Sequence, residues 1–428
     1  MSDRYLSAED ACALLGIKAA TLYAYVSRGL IRSESSDDSS RERRYLTEDV
    51  EALARRKAER KDPATVARSA LDWGSPLLDS ELTLIDGHRL YYRGLDATVL
   101  AREWSLEQVA ALLWLDDRSA AEKIFTAAEQ SRDTIHGVRP EPVRPDIITQ
   151  VGSLGLPPLN AMQVALALAV EEDVRAFDLS RESVAQTGAR ILHLLTATVI
   201  TSENRLVDAD GNTAQILAQA WQVDAVALLN AALVLCADHE LNASSFAGRI
   251  TASAEATPYA VVLAGLAALS GVRHGAHTAR VRALLESIPS PEQARSVLRD
   301  RLRRGEDVPG FGHRLYPEGD SRADTLLGLL QEIPVRTPFM ASARERIDAA
   351  RCEGELLTGK SASVDFALVA LELTLGLPRG SALTLFALGR TVGWIAHAIE
   401  QYESGQLLRP RARYTGRPPK SPLLSPLG

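Results

Sequence analysis

The chain has 428 residues, of which 46% are hydrophobic and 24% charged, the composition of a globular protein with room for two or three domains. Its net charge of −7 gives no overall reason to expect nucleic-acid binding, although residues 1–61 alone carry 12 Lys/Arg against 11 Asp/Glu. Three widely separated cysteines, Cys12, Cys236 and Cys352, exclude a zinc-type cysteine pair and a disulfide framework.

Secretory and membrane segments are not expected. No apolar signal region follows the N-terminus, and the most apolar stretch, residues 256–272, contains Pro258 and many small residues. We therefore expect a cytoplasmic protein that does not contact a membrane.

The N-terminal part of the chain is predicted to form a separate helical unit. Ser7 is the candidate N-cap of a helix over residues 8–15 that ends at Gly16, and a second helix follows over 18–27. The polar stretch 33–44 is predicted to be a solvated loop. Two helices joined by a tight turn indicate a helix-turn-helix motif.

This pattern resembles the N-terminal part of MerR-like and excisionase-like winged helix-turn-helix domains. The resemblance implies a recognition helix around residues 19–25 and a DNA contact through residues 1–61. The side chains that it offers for this contact are Lys18, Thr21, Tyr23, Arg28, Arg43 and Arg44. The alternative is a small helical appendage that binds a protein or nothing.

A linker is predicted over residues 62–76 and a larger, mainly α domain over 77–428. Residues 83–92 are typical of a β-hairpin with an Asp86-Gly87 turn. Apolar residues at helical spacing then predict helices over 100–115, 161–172, 183–201, 213–237, 260–270 and 363–376. Strands do not alternate with helices, and neither a phosphate-binding loop nor an HExxH motif is present, which excludes a dinucleotide-binding sheet and two common catalytic motifs.

Several short segments carry residues suited to catalysis. They are Asp238-His239-Glu240, Arg273-His274-Gly275, Gly310-Phe311-Gly312-His313 and Val364-Asp365-Phe366, followed or interleaved by arginines at 322, 390 and 409. Two glycines bracket Phe311, so the backbone before His313 can approach a ligand closely. Histidines polarise carbonyl groups, a carboxylate can remove a proton, and arginines bind carboxylates. The set predicts acid–base chemistry on an anionic substrate.

Taken in order, these segments resemble the citrate synthase family from about Leu77 to Gly416. The resemblance implies a two-domain, all-helical fold, with a large subdomain of about 77–275 and 377–428 and a small subdomain of about 276–376. It implies an acyltransferase that joins an acyl-CoA to a 2-oxo dicarboxylate. Acetyl-CoA is then a substrate, no cofactor or metal ion is expected, and the protein is expected to be a homodimer with shared active sites.

The family's roles carry over to single positions of this chain. By resemblance, Asp365 removes the methyl proton of the thioester, His274 stabilises the enolate, and His313 protonates the ketone of the acceptor. Binding of the acceptor is assigned to His239, Arg322, Arg390 and Arg409. In the family the last of these arginines reaches across a dimer interface.

Several positions depart from the family pattern, among them Ser321 in place of a proline, Cys236 where a histidine is often found, and the segments around His274 and Asp365. A proline is missing before His274, and His277 replaces a smaller residue near the expected thioester. Ala367 and Leu368 replace polar residues beside Asp365, which is expected to be drier and to have a raised pKa. Two acyl donors are therefore compatible with the sequence: acetyl-CoA, which would give citrate, and propionyl-CoA, which would give 2-methylcitrate. A transcription regulator that senses citrate or CoA esters is the alternative from another class.

Each candidate residue also has a plainer interpretation. His239 could be a helix cap or a core hydrogen-bonding group, Arg390 a surface arginine, Asp365 an N-cap, and Arg409 part of a solvated basic tail. The order of the whole set favours the catalytic interpretation.

Overall fold

A computed structural model of the protein describes residues 5–35, 43–47, 49–50, 53, 78–129, 145–202 and 211–417. The chain divides into two compact units, Met1–Asp79 and Ser80–Gly428. The linker predicted over 62–76 lies outside the described residues.

The first unit contains two helices and a small antiparallel sheet. Its elements are β1 (Tyr5–Leu6), α1 (Ala8–Leu15), α2 (Ala19–Ser27), β2 (Ser33–Ser35) and β3 (Arg43–Leu46). As predicted, the Ser7 side chain caps α1 by accepting from the Asp10 N–H, and Gly16 ends the helix with a left-handed φ of 58°. The prediction of a loop over 33–44 was wrong at both ends, because β2 and β3 pair with each other there.

The second unit begins with a three-stranded antiparallel sheet and is otherwise helical. Its strands are β4 (Thr83–Asp86), β5 (Arg89–Tyr92) and β6 (Leu95–Asp96). The hairpin turn consists of Gly87 and His88, one residue later than predicted, because Asp86 pairs with Arg89. Gly87 has a φ of 60°, a conformation that glycine adopts without strain.

The helices of the second unit follow this sheet. They are α3 (Ala97–Glu103), α4 (Leu106–Leu115), α5 (Ala121–Glu129), α6 (Pro145–Ser153), α7 (Pro158–Ala169), α8 (Arg181–Ser202), α9 (Thr213–Trp221), α10 (Val226–Leu235), α11 (Ala243–Ser253), α12 (Pro258–Leu269), α13 (His277–Glu286), α14 (Ala294–Arg303), α15 (Ser321–Glu332), α16 (Pro338–Thr358), α17 (Val364–Leu375) and α18 (Ser381–Ser404). Short 3-10 turns lie at Arg118–Ala120, Val174–Phe177 and Pro291–Gln293.

Two of the predicted helices are divided in the structure. The prediction over 100–115 covers parts of α3 and α4, which are separate because Ser105 forms a capping box with Gln108 and starts α4. The prediction over 213–237 covers α9 and α10, because α9 ends at Gln222 with a left-handed φ of 56°. Apolar spacing continues across both breaks, so periodicity alone could not show them.

The core of the second unit is built around α18. This helix packs against α4, α8, α10, α11 and α12. Its length and composition would suit a membrane span, but 94% of its apolar window is buried inside the protein, so it is a core helix. Gly393 makes a close approach, because its N–H donates to the Ala237 carbonyl of the segment after α10 at 2.9 Å. A Cβ there would lie 2.4 Å from that oxygen.

Helices α13 to α17 pack on one another and on the core. Helix α17 contacts α13, α15, α16 and α18, and α15 contacts α10. This group falls within residues 276–376, the range of the predicted small subdomain. The division of the second unit into subdomains stays a prediction.

Candidate active site

The loop before α15 carries His313 and fixes the position of its proton. The Leu315 N–H donates to His313 Nδ1 at 3.2 Å. An uncharged ring therefore carries its proton on Nε2. Burial and the nearby Arg322 lower the pKa of His313 to about 4. At neutral pH this histidine can donate one proton from Nε2.

His239 lies against the same loop. Its ring makes edge contacts with His313 and Tyr316, with centroids 5.2 and 5.5 Å away, and its Nε2 is 2.9 Å from the Tyr316 hydroxyl. Burial, followed by the charge of Arg322, holds the pKa of His239 well below its usual value. His239 is thus an uncharged hydrogen-bonding group of the cluster, and a different residue, Asn242, caps the following helix.

Arg322 is buried at the start of α15 and paired with Asp320. Its Nε and one terminal nitrogen each donate to an Asp320 carboxylate oxygen at 2.9 Å. Burial has the largest single effect on the pKa of Arg322 and lowers it, but Asp320 together with Tyr316 and Cys236 raises that pKa above its usual value. The guanidinium carbon lies 5.0 Å from the centre of the Tyr316 ring. Arg322 is therefore a fixed positive charge beside Tyr316 and His239.

Arg390 supplies the second positive charge, from the middle of α18. It is only 1% exposed, so the interpretation as a surface arginine is wrong. Its Nε donates to the Cys236 carbonyl at 2.8 Å, while its NH2 nitrogen has no hydrogen-bond partner among the described residues. A buried donor without a partner costs about 1–3 kcal/mol. Occupation by an anionic ligand would remove this cost.

His274 lies in the turn between α12 and α13, and Ser244 of α11 controls its tautomer. The Ser244 hydroxyl donates to Asn242 Oδ1 at 2.7 Å, and its oxygen lies 2.8 Å from His274 Nε2, from which it can accept a proton. If the single hydroxyl proton turns instead to His274 Nε2, the uncharged ring carries its own proton on Nδ1. Burial and then Arg390 lower the pKa of His274 to about 4. The ring packs edge-on against Phe386, 5.9 Å between centroids.

Asp365 lies in the first turn of α17. Ser363 occupies the N-cap position, so Asp365 is not the cap itself. Burial raises the pKa of Asp365, and the charges of His277 and then Arg322 oppose this rise. This direction agrees with the dry surroundings expected from the sequence, since Ala367 and Leu368 are buried. A carboxylate with a raised pKa is a better proton acceptor than an exposed one.

Backbone contacts join Asp365 to the arginine and histidine half of the site. The Val364 N–H donates to Asp320 Oδ2 at 3.1 Å, and the Ser363 N–H donates to the Gly310 carbonyl at 2.8 Å. Phe386 connects His274 to Arg390, whose guanidinium carbon lies 4.8 Å from the Phe386 ring centre. The predicted set is thus brought together except for one member.

That member is Arg409, which lies after α18 in an exposed stretch without helix or strand.

Sequence reasoning did not assign roles to Tyr316, Asp320 and Ser244. Tyr316 and Asp320 both stand within the histidine–arginine segment, so their closeness in sequence was the available signal. Among the described residues, no group of three or more His, Cys, Asp or Glu side chains could hold a metal ion.

The residues predicted for DNA contact all lie on the surface of the first unit. Lys18 and Arg28 flank α2, Thr21 and Tyr23 lie within it, and the exposed Arg43 and Arg44 begin β3. Arg32, another basic residue of this unit, forms a two-point ion pair with Asp49 at 2.9 Å.

Uncharged histidines beside buried guanidinium groups are suited to acid–base chemistry on an anionic substrate. The family model for the citrate synthase C-terminal domain matches residues 70–411. The chain belongs to the citrate synthase family, and the protein is therefore an acyltransferase. A second model, for a helix-turn-helix domain, matches residues 5–58 and supports the helix-turn-helix prediction.

Individual relatives support the same family. Citrate synthase from Haloferax volcanii is 30% identical over 372 residues, which are 80% of this chain and 94% of the relative. 2-Methylcitrate synthase 2 from Corynebacterium glutamicum is 26% identical over 76% of this chain and 88% of its own. The structure of Thermoplasma acidophilum citrate synthase in a ternary complex with carboxymethyl coenzyme A and oxaloacetate has the same fold, with a TM-score of 0.68, 24% identity, and coverage of 81% and 96% of the two chains.

Proposed function

We propose that the protein is a cytoplasmic citrate synthase, which condenses acetyl-CoA with oxaloacetate and releases citrate and CoA. The observation that carries this proposal is the NH2 nitrogen of the buried Arg390, which has no hydrogen-bond partner among the described residues. The charge of Arg390 contributes to the lowered pKa of His239, whose ring contacts that of His313. Oxaloacetate offers a carboxylate for such a guanidinium and a ketone for an uncharged histidine. No other partner for that NH2 lies among the described residues.

The proposed reaction assigns one proton to each of three side chains. Asp365 accepts a methyl proton of the thioester, while the Nδ1–H of His274 donates to the enolate oxygen that develops. This tautomer of His274 requires the Ser244 hydroxyl proton to turn from Asn242 Oδ1, to which it donates at 2.7 Å, to His274 Nε2 at 2.8 Å. As the new carbon–carbon bond forms, the Nε2–H of His313 donates a hydrogen bond to the ketone oxygen and stabilises the negative charge that develops there, and the proton held by Asp365 balances this charge when the hydroxyl group of the product is formed. Water then hydrolyses the thioester and frees CoA.

The decisive experiment measures CoA release in the presence of oxaloacetate. In the Asp365→Asn variant, kcat should fall by at least about 10²-fold, because general-base catalysis typically contributes 10²–10⁴-fold. Asp300→Asn is the matched control, since Asp300 is an exposed carboxylate on α14. Unchanged turnover in Asp365→Asn, or no turnover of the wild type with any acyl-CoA, would contradict the proposal.

Propionyl-CoA is the alternative acyl donor, with 2-methylcitrate as product. The apolar wall of Ala367 and Leu368 near Asp365 and the similarity to a 2-methylcitrate synthase favour testing it. One methylene group in an apolar pocket is worth about 1–3 kcal/mol. The ratio of kcat/KM for the two donors, measured with the same oxaloacetate, decides which one is the substrate.

We further propose a homodimer in which Arg409 acts in the site of the partner subunit. The stretch that carries it exposes Leu407 and Tyr414, which are 62% and 75% exposed and suited to burial against another chain. Mixing Arg409→Ala with Asp365→Asn chains tests this. A shared site leaves one intact site in each mixed dimer, so a statistical mixture should recover about a quarter of wild-type activity. If each chain uses its own Arg409, the mixture stays inactive.

A second candidate function, ligand-dependent DNA binding, rests on the first unit. Exposed Lys18, Arg28, Arg43 and Arg44 lie on and beside α2 and β3 of a matched helix-turn-helix domain. Full-length protein should bind duplex DNA at low salt, and Arg43→Gln with Arg44→Gln should weaken binding. In a regulator, Asp365→Asn would keep citrate- or CoA-dependent DNA binding. Absence of binding at low salt would leave this unit as an interaction module.

A further inference from the structure

His277 is a histidine at the active site to which the proposed reaction assigns no role. It is the first residue of α13, three residues after His274. Its Nε2 accepts a hydrogen bond from the Gly310 N–H at 3.3 Å. Gly310 belongs to the loop that carries His313, so one ring nitrogen joins the start of α13 to that loop.

The Gly310 loop is held on its other side by the segment that leads into α17. The Gly312 N–H donates to the Ser361 carbonyl at 2.8 Å, and the Gly310 carbonyl accepts from the Ser363 N–H at 2.8 Å. Gly310 has a φ of 93°, and a Cβ there would lie 3.2 Å from Val281 of α13 and 3.3 Å from Phe366 of α17. The loop therefore packs tightly between these two helices, and the hydrogen bond from Gly310 to His277 attaches it to helix α13.

The same histidine affects the carboxylate proposed as the base. Burial raises the pKa of Asp365; the electrostatic effects of His277 and then Arg322 oppose this rise, while that of Asp320 adds to it. Because His277 Nε2 accepts a hydrogen bond from the Gly310 N–H, the uncharged ring carries its own proton on Nδ1. His277 thus contacts the loop of the proton donor and lies near the proton acceptor.

We propose that His277 is a positioning residue that keeps the His313 loop at a fixed position relative to Asp365. This inference rests on the proposed condensation reaction. Loss of the Gly310 bond leaves each side chain in place but allows the loop to shift relative to α17. Misplacement of reacting groups by about 1 Å costs on the order of 10²-fold in rate. The effect should therefore appear in kcat rather than in substrate binding.

Two substitutions separate hydrogen bonding from packing. His277→Leu removes the acceptor and keeps an apolar side chain of similar reach, whereas His277→Gln retains an acceptor oxygen for the Gly310 N–H. His88→Leu is the matched control, because His88 lies in the β4–β5 turn with half of its side chain exposed. The CoA-release assay is run on all three variants, and the melting temperature of each is recorded.

We expect kcat to fall about 10- to 100-fold in His277→Leu, with KM for both substrates changed less than threefold. His277→Gln should regain most of this loss, and His88→Leu should match the wild type. A loss of packing alone would lower the melting temperature and would not be restored by His277→Gln.

Three outcomes would overturn the role of His277. They are a kcat within twofold of wild type in His277→Leu, an equal loss in His277→Leu and His277→Gln, and a loss that appears only in KM. Failure of the proposed function has a different signature. In that case the wild type itself releases no CoA from acetyl-CoA or propionyl-CoA.

Discussion

Gly354 of α16 offers a direct test of how the His313 loop is held. Phe311, two residues before His313, presses its ring against this glycine and also contacts Phe366, 5.2 Å between ring centres. A Cβ on Gly354 would lie 2.1 Å from the tip of the Phe311 ring. Carbon atoms in contact are normally about 3.5–4 Å apart, so Gly354→Ala must displace the ring by more than 1 Å.

The expected magnitude follows from two opposing effects. Alanine in place of glycine within a helix stabilises by about 1 kcal/mol, while overpacking a filled site costs about 1–3 kcal/mol. Gly354→Ala should therefore destabilise by up to about 2 kcal/mol, and kcat should fall because the His313 loop moves. Gly328→Ala in α15 is the control, since nothing lies within 4 Å of its added Cβ. It should stabilise by about 1 kcal/mol.

Urea unfolding followed by circular dichroism, together with the CoA-release assay, measures both effects. The interpretation also predicts coupling, because Phe311→Leu shortens the group that clashes. In the Phe311→Leu background, Gly354→Ala should cost less than it does alone. Equal stabilisation by Gly354→Ala and Gly328→Ala would refute the packing of Phe311 against α16.

Three further predictions concern the charged and polar groups of the site. Arg390→Lys should lower kcat/KM for oxaloacetate by about 10²-fold with little change in KM for the acyl-CoA, as measured by steady-state kinetics, because a lysine cannot reproduce a planar two-point contact. Tyr316→Phe should raise KM for oxaloacetate, since His239 Nε2 loses the hydroxyl 2.9 Å away. The pKa values of His274 and His313, lowered to about 4, mean that the unfolded chain binds more protons than the folded one between about pH 6.5 and 4. The free energy of unfolding should therefore fall on acidification through that window, and the fall should be shallower in the His274→Gln, His313→Gln double variant, as urea midpoints at several pH values would show.

The sequence was sufficient to predict elements whose ends carry a local signal. Helix α1 lies at its predicted residues because Ser7 and Gly16 supply both caps. The breaks at Ser105 and Gln222 were missed for a physical reason. Apolar residues face the core on both sides of each break, so the periodicity persists while the backbone changes direction.

The candidate site shows the same division between local and distant information. Residue types and their order predicted the histidines, Asp365 and two of the three arginines of the candidate site, Arg322 and Arg390, but the pairing partners depend on folding. Arg390 is placed next to Cys236, 154 residues away in sequence, and Ser244 reaches His274 from another helix. Gly393 likewise depends on a distant segment, because a side chain there would clash with the Ala237 carbonyl oxygen. Such contacts carry no sequence pattern of their own.

In the proposed reaction, the two halves of the candidate site would select their substrates by different physical effects. The acceptor half consists of charges that are already fixed, with Arg322 held by Asp320 and Arg390 held by a backbone carbonyl. An acceptor without a carboxylate would leave the Arg390 NH2 unpaired, a loss of about 1–3 kcal/mol. The acyl half is set by packing around Asp365 and by the position of the Gly310 loop. Substitutions at His277 should therefore change the chemical step and the acyl preference while the affinity for the acceptor stays close to that of the wild type.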